Sequence, residues 1–223
     1  DCRNNSRYFA ERAADIFSAN GFEVFLVESL RPTPLLSFAI RYHKCHSGIV
    51  ITASHNPPEY NGYKAYWNDG GQVVAPHDKG IIEEVRKIKS VKEIKSGGKQ
   101  ENIRIIGSET DNAFLQEVLK MSLNPGIIRQ YSDIGIVFTP IHGSGGTLVP
   151  PALKLFGFTN IISVPEQDIP DGNFPTVKSP NPEEPDAMKL AIRKAVDTSA
   201  ELVLATDPDA DRLGIACKNK KGE

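Results

Sequence analysis

Glu201-Leu202-Val203-Leu204-Ala205-Thr206 runs straight into Asp207-Pro208-Asp209-Ala210-Asp211-Arg212. A short apolar run that stops at a cluster of turn residues reads as a strand buried on both faces, the habit of parallel sheets. The pattern around it repeats. Immediately upstream, 186–196 has helical periodicity, 161–164 reads as a strand, and 165–185 is a proline-rich loop. Further back, 134–139 is a strand, 143–146 a tight glycine loop and 148–156 a helix. Strands alternating with helices in this way predict an α/β unit with parallel strands and helical crossovers.

The first half of the chain carries the same alternation. Ser6 is placed to cap a helix with apolar positions Phe9, Ala13, Ile16 and Phe17, and Gly21 ends it. Residues 22–27 read as a strand, 34–42 as a helix, and Gly48-Ile49-Val50-Ile51-Thr52 as a second buried strand. Asn68-Asp69-Gly70-Gly71 between 63–67 and 72–75 signals a hairpin, and 76–88 is an amphipathic helix. Residues 89–101, polar with Gly97-Gly98, read as a linker before a helix over 111–121. The expected fold class is α/β: two consecutive domains, 1–100 and 101–223, with mixed, mostly parallel sheets and helices on both faces. Asp1-Cys2-Arg3 enters a helix with no strand before it, and Lys218-Asn219-Lys220-Lys221-Gly222-Glu223 is a polar turn with no hairpin partner after it. Both ends therefore predict an internal segment of a longer protein, lacking the start of the first domain and the end of the second.

Composition narrows the function classes. With 18 Gly and 16 Pro among 223 residues, the chain stays well below the share of about 25–30% that marks disorder. Its 26 basic and 28 acidic side chains leave a net charge of −2. No global basic field is available to hold nucleic acid or an anionic membrane surface, so neither is expected as a partner. The three cysteines, Cys2, Cys45 and Cys217, form no C-x-x-C pair or zinc pattern, which fits a reducing, cytoplasmic setting. The longest uncharged stretch, 134–153, is interrupted by Pro140, Pro150 and Pro151 and reads as strand, loop and helix rather than a membrane span.

In open α/β sheets ligands sit beyond the carboxyl ends of strands. Two unusual loops, at Ser54 and at Asp207, hold that position. Asp207, Asp209 and Asp211 crowd three carboxylates that repel one another unless a cation joins them, and hard oxygen donors favour Mg²⁺ or Ca²⁺. An EF-hand does not fit, because Arg212 stands where its glycine is needed and Lys218 where its bidentate acid is needed. The plain alternative is a solvated acidic turn. Ser54-His55 is no hydrolase pair, since adjacent residues of an extended chain point apart and no G-x-S-x-G elbow is present. Taken alone, Ser54 is a turn hydroxyl, His55 a loop histidine and Lys64 a surface lysine. Gly143-Ser144-Gly145-Gly146 is either a phosphate cradle or a close strand-to-helix turn. The turn is preferred, because neither the dinucleotide fingerprint nor the P-loop ending is complete.

Four motifs together say more. Thr52-Ala53-Ser54-His55-Asn56-Pro57-Pro58, Tyr60-Asn61-Gly62-Tyr63-Lys64, Asp171-Gly172-Asn173-Phe174-Pro175 and Asp207-Pro208-Asp209-Ala210-Asp211-Arg212 resemble, in order and spacing, the α-D-phosphohexomutases, the phosphoglucomutase and phosphomannomutase superfamily. Ala65-Tyr66-Trp67 and Thr139-Pro140-Ile141-His142-Gly143 look most like the branch holding phosphoglucomutase 2 and phosphopentomutase-type enzymes. The resemblance implies a Mg²⁺-dependent isomerase that interconverts hexose 1- and 6-phosphates through a phosphoserine and a hexose 1,6-bisphosphate. It implies that Ser54 carries the phosphoryl group and that Asp207, Asp209, Asp211 and a phosphate oxygen on Ser54 hold the metal. Lys64 matches the general acid/base, whose role asks for a pKa lowered toward neutrality. His55 and Asn56 line the same loop, Arg212 beside the metal would contact phosphate, and Arg3 matches a substrate-binding position near the same cleft. The family has four domains and this chain resembles the first two. The remaining C-terminal domains of the same protein, with the sugar-recognition loop and phosphate clamp, are therefore its expected partners, and the chain alone is expected to be inactive. A phosphopentomutase, a metal-dependent phosphosugar phosphatase and a non-catalytic phosphosugar-binding module are the alternatives.

Overall fold

The computed structural model describes residues 1–219; of the terminal polar turn, 220–223 lie outside the described residues. Helix α1 (Ser6–Ala19) leads through Gly21, at φ +87°, into β1 (Val24–Val27). Helix α2 (Thr33–Tyr42), opened by Pro34 in its first turn, leads into β2 (Ser47–Ile51). Pro suits that position because the first helical N–H groups have no partner to lose. β3 (Tyr63–Trp67) runs antiparallel to β2, and α1 packs against both β1 and β2. The expected return arm over 72–75 is reduced to a single bridge, Gln72 to Tyr66. The chain then turns at Pro76, which has no N–H to extend a ladder, into α3 (His77–Lys87).

Two further expectations for this unit are corrected. Ser6 does not cap α1: Asn5 stands at the cap in a left-handed conformation, and the Ser6 hydroxyl donates to Asp1 Oδ1 at 2.9 Å. Residues 89–101 are not a free linker. The Gly97 and Gly98 N–H groups donate to the Asp15 carboxylate at 3.1 and 2.9 Å, and Ser18 Oγ donates to the Lys99 carbonyl at 2.7 Å, pinning the segment to α1. It delivers β4 (Ile103–Ile106), which pairs parallel with β1 from Val24 opposite Ile103 to Val27 opposite Ile106. The first sheet system thus extends beyond the boundary expected at 100.

Helices α4 (Ser108–Lys120), which packs against α2, and α5 (Pro125–Gln130) lead to the second unit. Its strands are β5 (Ile136–Thr139), β6 (Ile161–Ser163), β7 (Leu202–Thr206) and β8 (Leu213–Cys217), in the order β6-β5-β7-β8. The first three are parallel and β8 is antiparallel at the edge. Every residue of β5 is buried, whereas β8 alternates, with Leu213, Ile215 and Cys217 exposed. The contrast is what a central parallel strand and a one-sided edge strand require. Helix α6 (Val149–Phe156) follows β5, and the four-residue α7 (Pro165–Asp168) follows β6. Helix α8 (Pro185–Thr198) buries Ala187, Met188, Ala191 and Ala195 on one face, against β5 and β7. Val137, Ile141, Val164 and Val203 complete that core. Among the described residues, no helix is long and apolar enough to cross a membrane, and all three cysteines are free.

Candidate active site

The carboxyl ends of β2 and β7 meet across the two units. β2 ends one residue before Thr52, whose hydroxyl accepts the Ser54 N–H at 2.9 Å and donates to Asp1 Oδ2 at 2.7 Å. Ser54 itself sits at φ +53°, a left-handed conformation that non-glycine residues adopt at a cost and that concentrates at functional sites. From the other unit, β7 ends at Thr206, directly before Asp207, and Ala210 at φ +55° turns the acidic loop back on itself. The Ser54 hydroxyl reaches across to both buried carboxylates, with Oγ 3.1 Å from Asp207 Oδ2 and 3.2 Å from Asp209 Oδ1. Lys64, leaving on β3, donates to Asp209 Oδ2 at 3.0 Å and lies 3.7 Å from Asp211 Oδ2.

Asp207 and Asp209 are fully buried and Asp211 partly exposed, and one oxygen of each lies within 4.8 Å of the others. Burial, then the neighbouring charges of Asp209 and Asp211, push the Asp207 carboxyl up to about 8. Burial also works against ionisation of Asp209, but the Lys64 ammonium, with hydrogen bonds from Asp207 and Thr52, outweighs it and holds that carboxyl below its usual range. Lys64 thus serves Asp209 and Asp211, while burial beside two further carboxylates favours the neutral form of Asp207. Three carboxylates beside a serine oxygen form an all-oxygen donor set whose uncompensated charge suits a hard divalent cation.

The other expected site residues distribute as follows. The Arg3 guanidinium is buried beneath the serine loop and donates to the carbonyls of Ser54, Asn56, Pro57 and Tyr60. Asn56 is exposed on that loop. His55 keeps its Nδ1 buried with no hydrogen-bond partner among the described residues. Arg212 joins the acidic loop through its backbone, whose N–H donates to Asp207 Oδ1 at 3.1 Å. Its guanidinium instead turns to Glu183 Oε1 at 3.2 Å, so it does not neutralise the aspartates. Lys64 also departs from expectation. Burial lowers its pKa, but the Asp209 carboxylate in contact and nearby Asp211 reverse that, and the net shift is upward.

Thr33, not anticipated from the sequence, ties α2 to the acidic loop: its N–H donates to the Asp209 carbonyl at 2.8 Å and its hydroxyl to Asp209 Oδ2 at 3.3 Å. Its place at the start of α2, after the carboxyl end of β1, was the available signal. The glycine loop after β5 packs against the acidic loop as a close turn: the Ser144 N–H and hydroxyl both donate to the Pro208 carbonyl, at 2.8 and 2.9 Å.

Comparison with known proteins concerns both units. Residues 1–92 match the phosphoglucomutase/phosphomannomutase α/β/α domain I and residues 112–222 match domain II. A human phosphopentomutase is 38% identical over 98% of this chain, and a Staphylococcus haemolyticus phosphoglucomutase is 38% identical over all of it. The open form of parafusin from Paramecium superposes with a TM-score of 0.73 over 97% of the chain at 22% identity, a likeness of fold. The chain spans 36%, 41% and 44% of those three proteins. Two consecutive domain matches, in the order and with the loops that meet at Ser54, place the chain in the phosphoglucomutase/phosphomannomutase family.

Proposed function

We propose that Ser54 receives a phosphoryl group from a sugar phosphate and returns it to another hydroxyl of the same sugar, so that the whole protein is an isomerase of phosphosugars. The observation that carries this reading is the Ser54 hydroxyl lying within hydrogen-bond reach of both buried carboxylates of a loop from the second unit. Phosphoryl transfer asks chiefly for in-line positioning and charge neutralisation, and this pocket offers a fixed oxygen amid a hard-cation donor set. Mg²⁺ held by Asp207, Asp209, Asp211 and an oxygen at Ser54 would supply the counter-charge that Arg212 does not. Lys64 is placed to hold the proton of the reacting sugar hydroxyl. With a cation drawing on Asp209 and Asp211, the carboxylates that raise its pKa would stabilise its ammonium less.

In the forward half-reaction the P–O bond at Ser54 breaks as a bond to the sugar oxygen forms, giving a hexose 1,6-bisphosphate. The sugar hydroxyl's proton passes to Lys64 in its neutral amine form and on to the released Ser54 oxygen, which is left as the serine hydroxyl. The return half-reaction reverses these bonds at the other phosphate. Hexose 1- and 6-phosphates of glucose or mannose are the proposed substrates, and the human relative's name makes a pentose phosphate the second candidate. The remaining domains are proposed to hold the distal phosphate, and three free thiols suit a cytoplasmic setting. The test is a coupled assay on the whole protein, with glucose 1-phosphate, mannose 1-phosphate and ribose 1-phosphate offered in turn and the 1,6-bisphosphate as activator. Isomerised product supports the reading, whereas release of inorganic phosphate alone would assign a phosphatase instead.

A further inference from the structure

The loop 171–175 lies outside the chemistry described so far, yet it closes over the residue that shapes the serine loop. Arg3 spends its guanidinium on four carbonyls between Ser54 and Tyr60, so the loop is wound around one side chain. Its Nε has no hydrogen-bond partner among the described residues, and Asp1 Oδ2 lies 3.6 Å away. From the second unit the Phe174 ring lies against this group, its centroid 5.3 Å from the Arg3 guanidinium carbon, a cation–π distance.

Phe174 is 1% exposed and adopts φ +49°, an unusual conformation for a bulky side chain. The surrounding loop is built to hold it there. Asp171 Oδ1 accepts the Asn173 N–H at 2.8 Å, and the Asp171 carbonyl accepts the Phe174 N–H at 3.2 Å. Beneath it, His142 bridges the Ile169 carbonyl and the Thr176 hydroxyl at 3.1 and 2.9 Å. The loop backbone also presses on the other unit: a Cβ at Gly172 would stand 2.5 Å from the Asn4 nitrogen, and Asn4 Nδ2 donates to Asn173 Oδ1 at 2.9 Å. A strained residue, a close glycine approach and a side-chain bond all converge on Arg3 and Asn4.

We propose that Phe174 is a positioning residue: by covering the Arg3 guanidinium from the second unit, it fixes the 54–60 loop and hence the Ser54 hydroxyl. The role of Ser54 as phosphoryl acceptor rests on the function proposed above, but the loop's order does not. The contact makes the geometry of the serine loop depend on docking of the two units. An undocked second unit would remove both the acidic loop and the cover over Arg3.

The test is a double-mutant cycle on the 223-residue chain with Phe174→Leu, Arg3→Lys and the pair, read by amide hydrogen exchange across 54–60. Phe174→Leu is expected to speed exchange there roughly tenfold while β5 and β7 keep their protection. Added to Arg3→Lys it should change the loop little further, because both act through one contact. Phosphorylation of Ser54 by glucose 1,6-bisphosphate should slow by roughly 10- to 100-fold in Phe174→Leu with Mg²⁺ affinity within twofold. Should Phe174→Leu fail to fold, Phe174→Met supplies the same loss of the ring with closer volume. Wild-type exchange at 54–60 in the folded variant, or fully additive effects in the pair, would overturn the proposal. A wild-type chain that takes up no phosphate would count against the proposed function, while the exchange cycle would still decide the role of Phe174.

Discussion

Lys64 Nζ stands 3.0 Å from Asp209 Oδ2, joining the hairpin that leaves the serine loop to the acidic loop of the other unit. Lys64 contacts the buried Asp209 and lies near the exposed Asp211, and both carboxylates drive its pKa upward. A divalent ion at the same carboxylates would take over that charge. The metal and the lysine are thus coupled through Asp209, and each can be tested while the other is watched.

Mg²⁺ or Mn²⁺ is expected to bind at Asp207, Asp209 and Asp211. Asp209→Asn removes one charged donor from the centre of the set and should weaken binding at least roughly tenfold. Titration calorimetry of the two proteins side by side checks this, and equal affinities would exclude the loop as the site.

Lys64→Met keeps much of the apolar stem and removes the ammonium. In the whole protein it should lower kcat by about 10²–10⁴-fold, the usual contribution of a positioned acid or base, with Mg²⁺ affinity retained or improved. Normal turnover would remove Lys64 from the proton path.

Legibility followed the range of the forces involved. The apolar runs of β5 and β7 and the alternation of Asp207, Asp209 and Asp211 are local, and both strands and the acidic cluster could be read directly. β4 was hidden because Ile103 to Ile106 follows a polar segment, and its pairing with β1 is decided by a partner nearly 80 residues away. The upward shift of Lys64, the turn of Arg212 toward Glu183 and the reach of Thr33 to Asp209 likewise depend on long-range packing that no spacing encodes. The resemblance put Arg3 near the cleft, but its use as the post around which the serine loop winds was not legible.

His43 provides a pH dependence separate from the site. Its ring stacks on Phe25 at 4.7 Å and bonds Thr110 Oγ1 through Nε2 at 2.9 Å, and burial lowers its pKa from the ordinary value. The unfolded chain therefore binds the proton first as pH falls through about 6.5, so the group's contribution is present above that pH and lost below it. Urea unfolding at pH 7.5 and 5.5 should show a smaller loss of stability on acidification in His43→Asn than in the wild type. An identical loss in the two proteins would assign the acid sensitivity elsewhere.

Gly145 packs under β7, where an added Cβ would come 2.2 Å from Thr206 Oγ1. Gly145→Ala should destabilise the second unit by about 1–3 kcal/mol, the usual cost of overpacking, and loosen the approach of the acidic loop. Chemical denaturation followed by circular dichroism measures it; an unchanged midpoint would mean that the loop accommodates the methyl group.

The most direct measurement is the intact mass of the chain after incubation with glucose 1,6-bisphosphate, with and without Mg²⁺, for the wild type and for Ser54→Ala. A gain of one phosphate that requires Mg²⁺, maps to Ser54 and is absent from Ser54→Ala is the predicted result. An unmodified wild-type mass under conditions where calorimetry shows Mg²⁺ bound would contradict the assignment of Ser54 as the phosphoryl carrier.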